Sequence, residues 1–135
     1  MLKEGFSILN GSNPVWRSNN INLSSSYKTE PYAICADIYD GVGQRGRGGW
    51  SWYTGAAAWY YKIVTETVLG IKLSNGFKLI EVKPLIEYES VFEQKDFRLK
   101  IIASKEFNGA KLDGVEVTLP FVVPEGEHNL EVPLE

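Results

Sequence analysis

The chain changes character at Gly70, and that break limits what it can fold into. Ahead of it lie Gly, Asn, Ser and aromatic residues with two helix-like segments. Beyond it come β-branched residues, polar–apolar alternation and hairpin signals. The pattern reads as α+β, with a helical segment over 1–70 and an antiparallel β domain over 71–135. A length of 135 residues holds one modest domain or a small helical piece joined to a small sheet, and no large enzyme.

In the second half, Ile71-Lys72-Leu73 and Phe77 to Val82 flank Ser74-Asn75-Gly76, while Lys111-Leu112 and Val115-Glu116-Val117 flank Asp113-Gly114. Both read as hairpins. Phe97 to Ile102 and Leu130-Glu131-Val132 alternate as half-buried strands do. Together these predict a small antiparallel β-sandwich.

The first half is less regular. Met1 to about Leu9 reads as the end of a helix, and Asn10 to Ser26 as a loop that Trp16 packs down in part. Thr29 to Tyr39 predicts a helix of about ten residues, with Thr29 as cap and Pro31 early enough to be tolerated. A strand over Ala33 to Tyr39 stays open, because the run is short and rich in Ile and Tyr. Asp40 to Gly49 is a glycine loop carrying Arg45 and Arg47. From Thr54 to Leu69 the apolar residues recur at helical spacing on so wide a stripe that the helix calls for burial on most sides, and Gly70 stops it.

The net charge of −3 and the scatter of the basic residues exclude a nucleic-acid surface. One cysteine, Cys35, and one histidine, His128, exclude a disulfide framework and a Cys/His metal set. No signal peptide pattern or run of about 20 apolar residues is present, so the expectation is a cytoplasmic chain with no membrane segment.

The richest chemistry lies in Gly48-Gly49-Trp50-Ser51-Trp52-Tyr53-Thr54-Gly55-Ala56-Ala57-Ala58-Trp59. Indole and phenol rings present flat apolar faces with a polar edge, which suits stacking on a pyranose ring. Thr54 precedes an Ala-rich run as an N-cap would, so first-turn amides and the helix dipole point at whatever sits beside Thr54 and Gly55. A phosphate fits that description. The alternative is that the rings are core and Thr54 is a cap alone.

Gly41-Val42-Gly43-Gln44-Arg45-Gly46 matches a dinucleotide fingerprint in letters, yet the context fails, because Gly48, Gly49 and Trp50 follow where a helix is required. The glycines let Arg45 and Arg47 approach a sugar or an anion, or leave them solvated. Glu30, Asp37 and Asp40 are the carboxylates nearest the aromatic block. On a helix, Glu30 and Asp37 would share a face at about 10 Å, a glycosidase-like spacing, although an acid at a helix start also serves the dipole. His128 sits in a turn-like segment as a surface residue, and Cys35 reads as a small core residue.

Tyr27-Lys28-Thr29-Glu30-Pro31-Tyr32, Ala36-Asp37-Ile38-Tyr39, the Gly46 to Trp59 block and Leu69-Gly70-Ile71 together resemble the C-terminal end of glycoside hydrolase family ninety-four, formerly glycosyltransferase family thirty-six. That family holds cellobiose and chitobiose phosphorylases and the phosphorylase-like domain of cyclic β-1,2-glucan synthases of the NdvB type. Lys111 to Val117 and Glu127-His128 resemble its closing β domain. The resemblance implies the last helices of an (α/α)6 barrel followed by an antiparallel β-sandwich. It also implies inverting phosphorolysis, in which phosphate takes the part of water and an aspartate acts as general acid.

By the same resemblance Thr54 and Gly55 contribute to the phosphate site; Trp50, Trp52, Tyr53, Arg45, Arg47 and Glu30 are the candidate carbohydrate contacts on their own chemistry. The family's general acid lies upstream of the matching region, so no residue here is catalytic by carry-over. No metal and no cofactor are implied; inorganic phosphate is a substrate of the complete enzyme. Ala36 stands where cellobiose phosphorylases carry glutamine, which points toward the β-1,2-glucan branch. The expectation is a C-terminal module of a β-glucan or disaccharide phosphorylase, inactive alone, whose partners are a β-linked oligosaccharide and phosphate. Apolar helices stripped of neighbours further predict a homo-oligomer or association with the rest of the barrel. A non-catalytic carbohydrate-binding or structural module is the alternative.

Overall fold

The computed structural model describes residues 2–51, 54–76 and 78–135. It is mixed α and β, in two compact units, Met1–Tyr61 and Lys62–Glu135.

The first unit begins with three short helices, α1 (Leu2–Ser12), α2 (Pro14–Ser18) and α3 (Ile21–Tyr27). The predicted loop over Asn10 to Ser26 is therefore corrected. Two of its asparagines, Asn13 and Asn20, are N-caps. Asn13 Oδ1 accepts from the amides of Val15 at 3.0 Å and Trp16 at 3.3 Å, with Pro14 opening α2. Asn20 Oδ1 does the same for Asn22 at 2.9 Å and Leu23 at 3.4 Å. Each cap satisfies first-turn donors that would otherwise have no partner. Ser24 and Ser25 hydroxyls donate back to the carbonyls of Ile21 and Asn22, so side chains typical of loops are absorbed into helix. Trp16 remains about half exposed.

The helix predicted over Thr29 to Tyr39 does not form. Lys28 ends α3 in the left-handed region, φ 51°, and a turn follows in which the Ala33 amide donates to the Glu30 carbonyl at 3.2 Å. Asp37–Ile38 then becomes strand β1, antiparallel to β2 (Gly48–Gly49). A partner distant in sequence decides this segment, and it realises the end of the strand alternative. Glu30 and Asp37 consequently share no helix face, and the paired-carboxylate reading is withdrawn.

The next helix, α4 (Thr54–Lys62), runs into a π-helical turn, Ile63–Val68, closed by the Leu69 amide donating to Val64 at 2.9 Å. Gly70 stops it at φ +68°, where a Cβ would overlap the Lys83 carbonyl, so only glycine fits.

In the second unit, β3 (Ile71–Ser74) and β4 (Leu79–Val82) form the predicted hairpin. Asn75 and Gly76 both have positive φ at the start of the four-residue connection between the paired Ser74 and Leu79. Strand β9 (Phe121–Val122) completes a three-stranded sheet ordered β3-β4-β9. The second sheet contains β5 (Tyr88–Glu93), β6 (Phe97–Ala103), β7 (Lys111–Leu112), β8 (Val115–Glu116) and β10 (Gly126–Val132), ordered β5-β6-β10-β7-β8.

The wholly antiparallel expectation needs one correction: β10 runs parallel to β6 from Gly126↔Phe97 to Val132↔Ala103. Parallel neighbours need a long crossover, and residues 104–125 supply it, carrying the Asp113-Gly114 hairpin and β9 on the way. Alternate residues of β6 and β10 point inward. Leu99, Ile101, Leu130 and Val132 meet Ile80 and Val82 of the other sheet in one core. Each such side chain contributes about 1.5–3 kcal/mol on burial.

Among the described residues there are four short α-helices, the longest of 11 residues, and the π-helical turn that continues α4, and they close no barrel. None is long and apolar enough to cross a membrane.

Candidate functional site

The Gly48-Gly49-Trp50 segment is built on strand alternation. A Cβ on Gly48 would lie 2.8 Å from Thr29 Cγ2, 2.9 Å from the Tyr27 ring and 3.2 Å from Cys35 Sγ, while a Cβ on Gly49 would overlap the Tyr39 ring. Both faces of β2 are thus already occupied by side chains, and the strand tolerates no others. Behind it, Tyr27 is fully buried and its hydroxyl donates to Cys35 Sγ at 3.2 Å. Burial, and then the Cys35 contact, push its phenol above the usual tyrosine range. The Arg17 guanidinium stands 5.5 Å from the centre of the Tyr27 ring, and Arg17 Nε donates to the Gly11 carbonyl.

Trp50 follows immediately with φ 56°, a conformation that costs a bulky L-residue on the order of 1–3 kcal/mol. Its carbonyl is held by the Ala36 amide at 3.3 Å, and its side chain is 65% exposed. A strained, outward-facing indole is thus fixed from behind by β1, β2 and Tyr27. Four residues later α4 begins at Thr54. Gly55 is exposed, and beyond its own helix backbone and chain neighbours no described atom lies within 4 Å of where its Cβ would be. Trp52 and Tyr53 lie outside the described residues.

The remaining predicted residues are placed as follows. Arg45 pairs with Asp40 at 3.2 Å, with both side chains exposed, and Arg47 Nη1 donates to Gln44 Oε1 at 2.9 Å. Both arginines are held within the β1–β2 connection, whose turns are closed by Tyr39 donating to Arg47 and Gly46 donating to Tyr39, each at 2.8 Å. The Gly41–Gly46 motif is this connection and leads into a strand, so its dinucleotide reading is excluded. Glu30 sits half-buried in the turn ahead of β1.

His128 is more than a surface group. Its Nδ1 lies 2.7 Å from Asp113 Oδ2 and its Nε2 3.1 Å from the Glu125 carbonyl, while the Asn129 amide donates to Asp113 Oδ1 at 2.8 Å. The Asp113 hydrogen bond, then that of Glu125, raises the imidazole's pKa. The Asn129 amide, then His128, lowers that of Asp113. The arrangement clips the β7–β8 turn to β10.

Sequence reasoning missed Tyr27, Tyr39 and Arg17. Tyr27 and Tyr39 stood in the segments that carried the resemblance, but nothing in their spacing revealed that they pack on two glycines more than nine residues away.

Residues 3–70, just over half of the chain, match the family model described as "Glycosyl hydrolase 94 superfamily, catalytic domain". The chain belongs to the glycosyl hydrolase 94 superfamily. All of the segment from Tyr27 to Gly55 lies inside that match. The chain is also 42% identical over 77 residues to "Cyclic beta-(1,2)-glucan synthase NdvB" of Rhizobium meliloti (strain 1021), a stretch covering 57% of this chain and 3% of that protein. It thus spans a small fraction of the length of this glycosyl hydrolase 94 relative.

Proposed function

We propose that the chain contributes a sugar- and phosphate-contacting segment to a β-glucan phosphorylase or a cyclic β-1,2-glucan synthase-like enzyme, and that it does not turn over substrate alone. The observation that carries this reading is the exposed, left-handed Trp50 four residues ahead of the start of α4, with Gly55 exposed in its first turn, inside the family match. Trp50, with Trp52 and Tyr53, offers ring faces to a β-linked oligosaccharide. The first-turn amides at Thr54 and Gly55 hold phosphate. Glu30 reaches the sugar hydroxyls, and Arg45 and Arg47 reach sugar hydroxyls or phosphate once released from Asp40 and Gln44.

In the complete enzyme, phosphate attacks the anomeric carbon as the glycosidic C–O bond breaks. A carboxylic acid from outside this chain gives its proton to the leaving oxygen. In this reading residues 1–70 supply the last helices of an (α/α)6 barrel, residues 71–135 the closing β domain, and the working compartment is the cytoplasm.

The test is tryptophan fluorescence of the 135-residue chain titrated with β-1,2-gluco-oligosaccharide, with and without phosphate. The expected result is a saturable change at millimolar sugar that Trp50→Ala abolishes, with no release of glucose 1-phosphate. Turnover by the chain alone overturns the claim of inactivity. A flat titration leaves a purely structural module.

A further inference from the structure

His128 is the chain's single histidine, and both of its ring nitrogens face groups that can only accept a hydrogen bond. Nδ1 meets the Asp113 carboxylate and Nε2 the Glu125 carbonyl. A neutral imidazole has one N–H and one lone pair, so it serves one of these partners and turns a lone pair toward the other. The arrangement is complete only for the imidazolium. The other charged groups around the ring largely cancel. Arg98 and Lys100 of β6 line the same groove as His128, together with Val91, Glu127 and Asn129. Arg98 faces Glu127 at 3.9 Å, and Lys100 pairs with Glu89 of β5 at 2.8 Å. Asp113, from the β7–β8 turn, is therefore the charge that holds the ring's proton, and its hydrogen bond is the first cause of the raised imidazole pKa.

The two bonds are unequal. Asp113 is held three ways: Oδ1 accepts from the Asn129 amide at 2.8 Å, its own amide donates to the Asn129 carbonyl at 2.8 Å, and Oδ2 takes the short, charge-assisted bond to Nδ1. The bond to the Glu125 carbonyl is longer, at 3.1 Å, and Pro124, Glu125 and Gly126 are exposed. Loss of one ring proton therefore leaves Nδ1–H on Asp113 and sets the Nε2 lone pair against those of the Glu125 oxygen. That oxygen belongs to the planar Glu125–Gly126 peptide, whose amide donates to the Asp96 carbonyl at 3.0 Å, so the two groups turn together. Gly126 sits at φ +111°, and glycine accepts either sign of φ at little cost. The peptide that the imidazole holds is thus one that can turn over. Val123, ahead of it, stays anchored in the core and donates to the Lys78 carbonyl at 3.0 Å. We propose that His128 is a proton-controlled latch: as the imidazolium it holds the Glu125–Gly126 peptide, and on deprotonation it releases that peptide to flip and frees the entrance to β10. The inference goes beyond the functional reading above and requires neither sugar nor phosphate to bind.

The experiment is nuclear magnetic resonance of the nitrogen-labelled chain from pH ~5 to pH ~8.5, which spans the titration of a histidine, with amide exchange corrected for its intrinsic pH dependence. At the acid end both ring nitrogens should carry protons and the Gly126 amide should be protected. Through the ring's titration Nε2 should lose its proton, and Gly126 protection should fall about fivefold or more, as for the loss of one ordinary hydrogen bond. The amides of Leu130 and Val132 should not change. His128→Gln should make Gly126 protection independent of pH, and Asp113→Asn should move the midpoint of the ring's titration down. Where His128→Gln fails to fold by circular dichroism, the titration of the parent chain decides. A ring that carries one proton throughout, or a titration that leaves Gly126 unaltered, overturns the proposal. So does loss of protection at Asn129 in place of Gly126, which would make Asp113 the partner released.

Discussion

The two units use apolar residues in opposite ways. Lys62–Glu135 holds twenty-two of the chain's charged residues, and its alternating strands turn Leu99, Ile101, Leu130 and Val132 into a shared core. Met1–Tyr61 holds nine charged residues and several tryptophans and tyrosines. Among the described residues its buried hydrophobics are Tyr27, Ala33 and Cys35, whereas Ile8, Trp16, Ile21, Trp50 and Trp59 are exposed. One unit spends its hydrophobicity on its own stability; the other holds it at the surface, where it is available for contact. The second arrangement is costly in water, and it is the family-matching half that adopts it.

The strongest challenge to this contrast is a pair of truncations. Leu99→Ala, at a fully buried position, should cost about 3–5 kcal/mol. Ile21→Ala, at an exposed one, should cost under about 0.5 kcal/mol. Urea unfolding of each measures the difference, and equal losses would show that Ile21 is part of a core after all.

Gly48→Ala probes the one dense spot of the first unit. A new methyl against Thr29 and the Tyr27 ring should cost about 1–3 kcal/mol and change the near-ultraviolet signal of Tyr27. Silence there would mean that β2 is not pinned. Trp50→Gly should act in the other direction, since relief of the left-handed tryptophan stabilises the chain by about 1 kcal/mol. The same substitution should abolish the fluorescence response to oligosaccharide. A gain in thermal midpoint together with a loss of sugar response is the signature of strain kept for contact.

The smallest effect belongs to the His128–Asp113 clip. The folded imidazole's pKa lies above 6.5, so its stabilising contribution is complete below the unfolded value and is lost as pH rises through the folded one. For Asp113, lowered from 3.8, the contribution is present above the unfolded value and is lost as pH falls through the folded one. The clip therefore holds best between these ranges, at mildly acidic pH. Thermal midpoints should drop slightly from pH ~6 to pH ~8 in the parent chain and not in His128→Ala. An unchanged slope in the variant would remove the histidine from the account.

Legibility in the sequence followed locality. Asn75-Gly76 and Asp113-Gly114 each demand positive φ within two residues, so both hairpins could be read directly, as could the stop at Gly70. The alternation of Phe97 to Ile102 carried its own inward face. The parallel pairing of β10 with β6 could not be read, because nothing in Gly126–Val132 encodes which neighbour it will meet. The short helices of Asn10 to Ser26 were hidden because asparagine and serine serve loops and caps equally, and only the geometry distinguishes the two. At the candidate site, Trp50, Thr54 and Gly55 were legible as a motif; the sequence also suggested that Glu30 shares a helix face with Asp37, which the fold does not bear out.

What the amino-acid order determined by itself is the helix stop at Gly70, the local turns, the inward face of each long strand and the aromatic block with its helix start. All depend on backbone conformations and side-chain periods that act over a few residues. Only the tertiary structure decided that Thr29 to Tyr39 would extend and pair with Gly48–Gly49, that Tyr27 and Tyr39 would fill the space those glycines leave, and that Trp50 would face outward. Those outcomes depend on packing between segments far apart in the chain, and a preference weak enough to suit either helix or strand yields to whichever partner it meets.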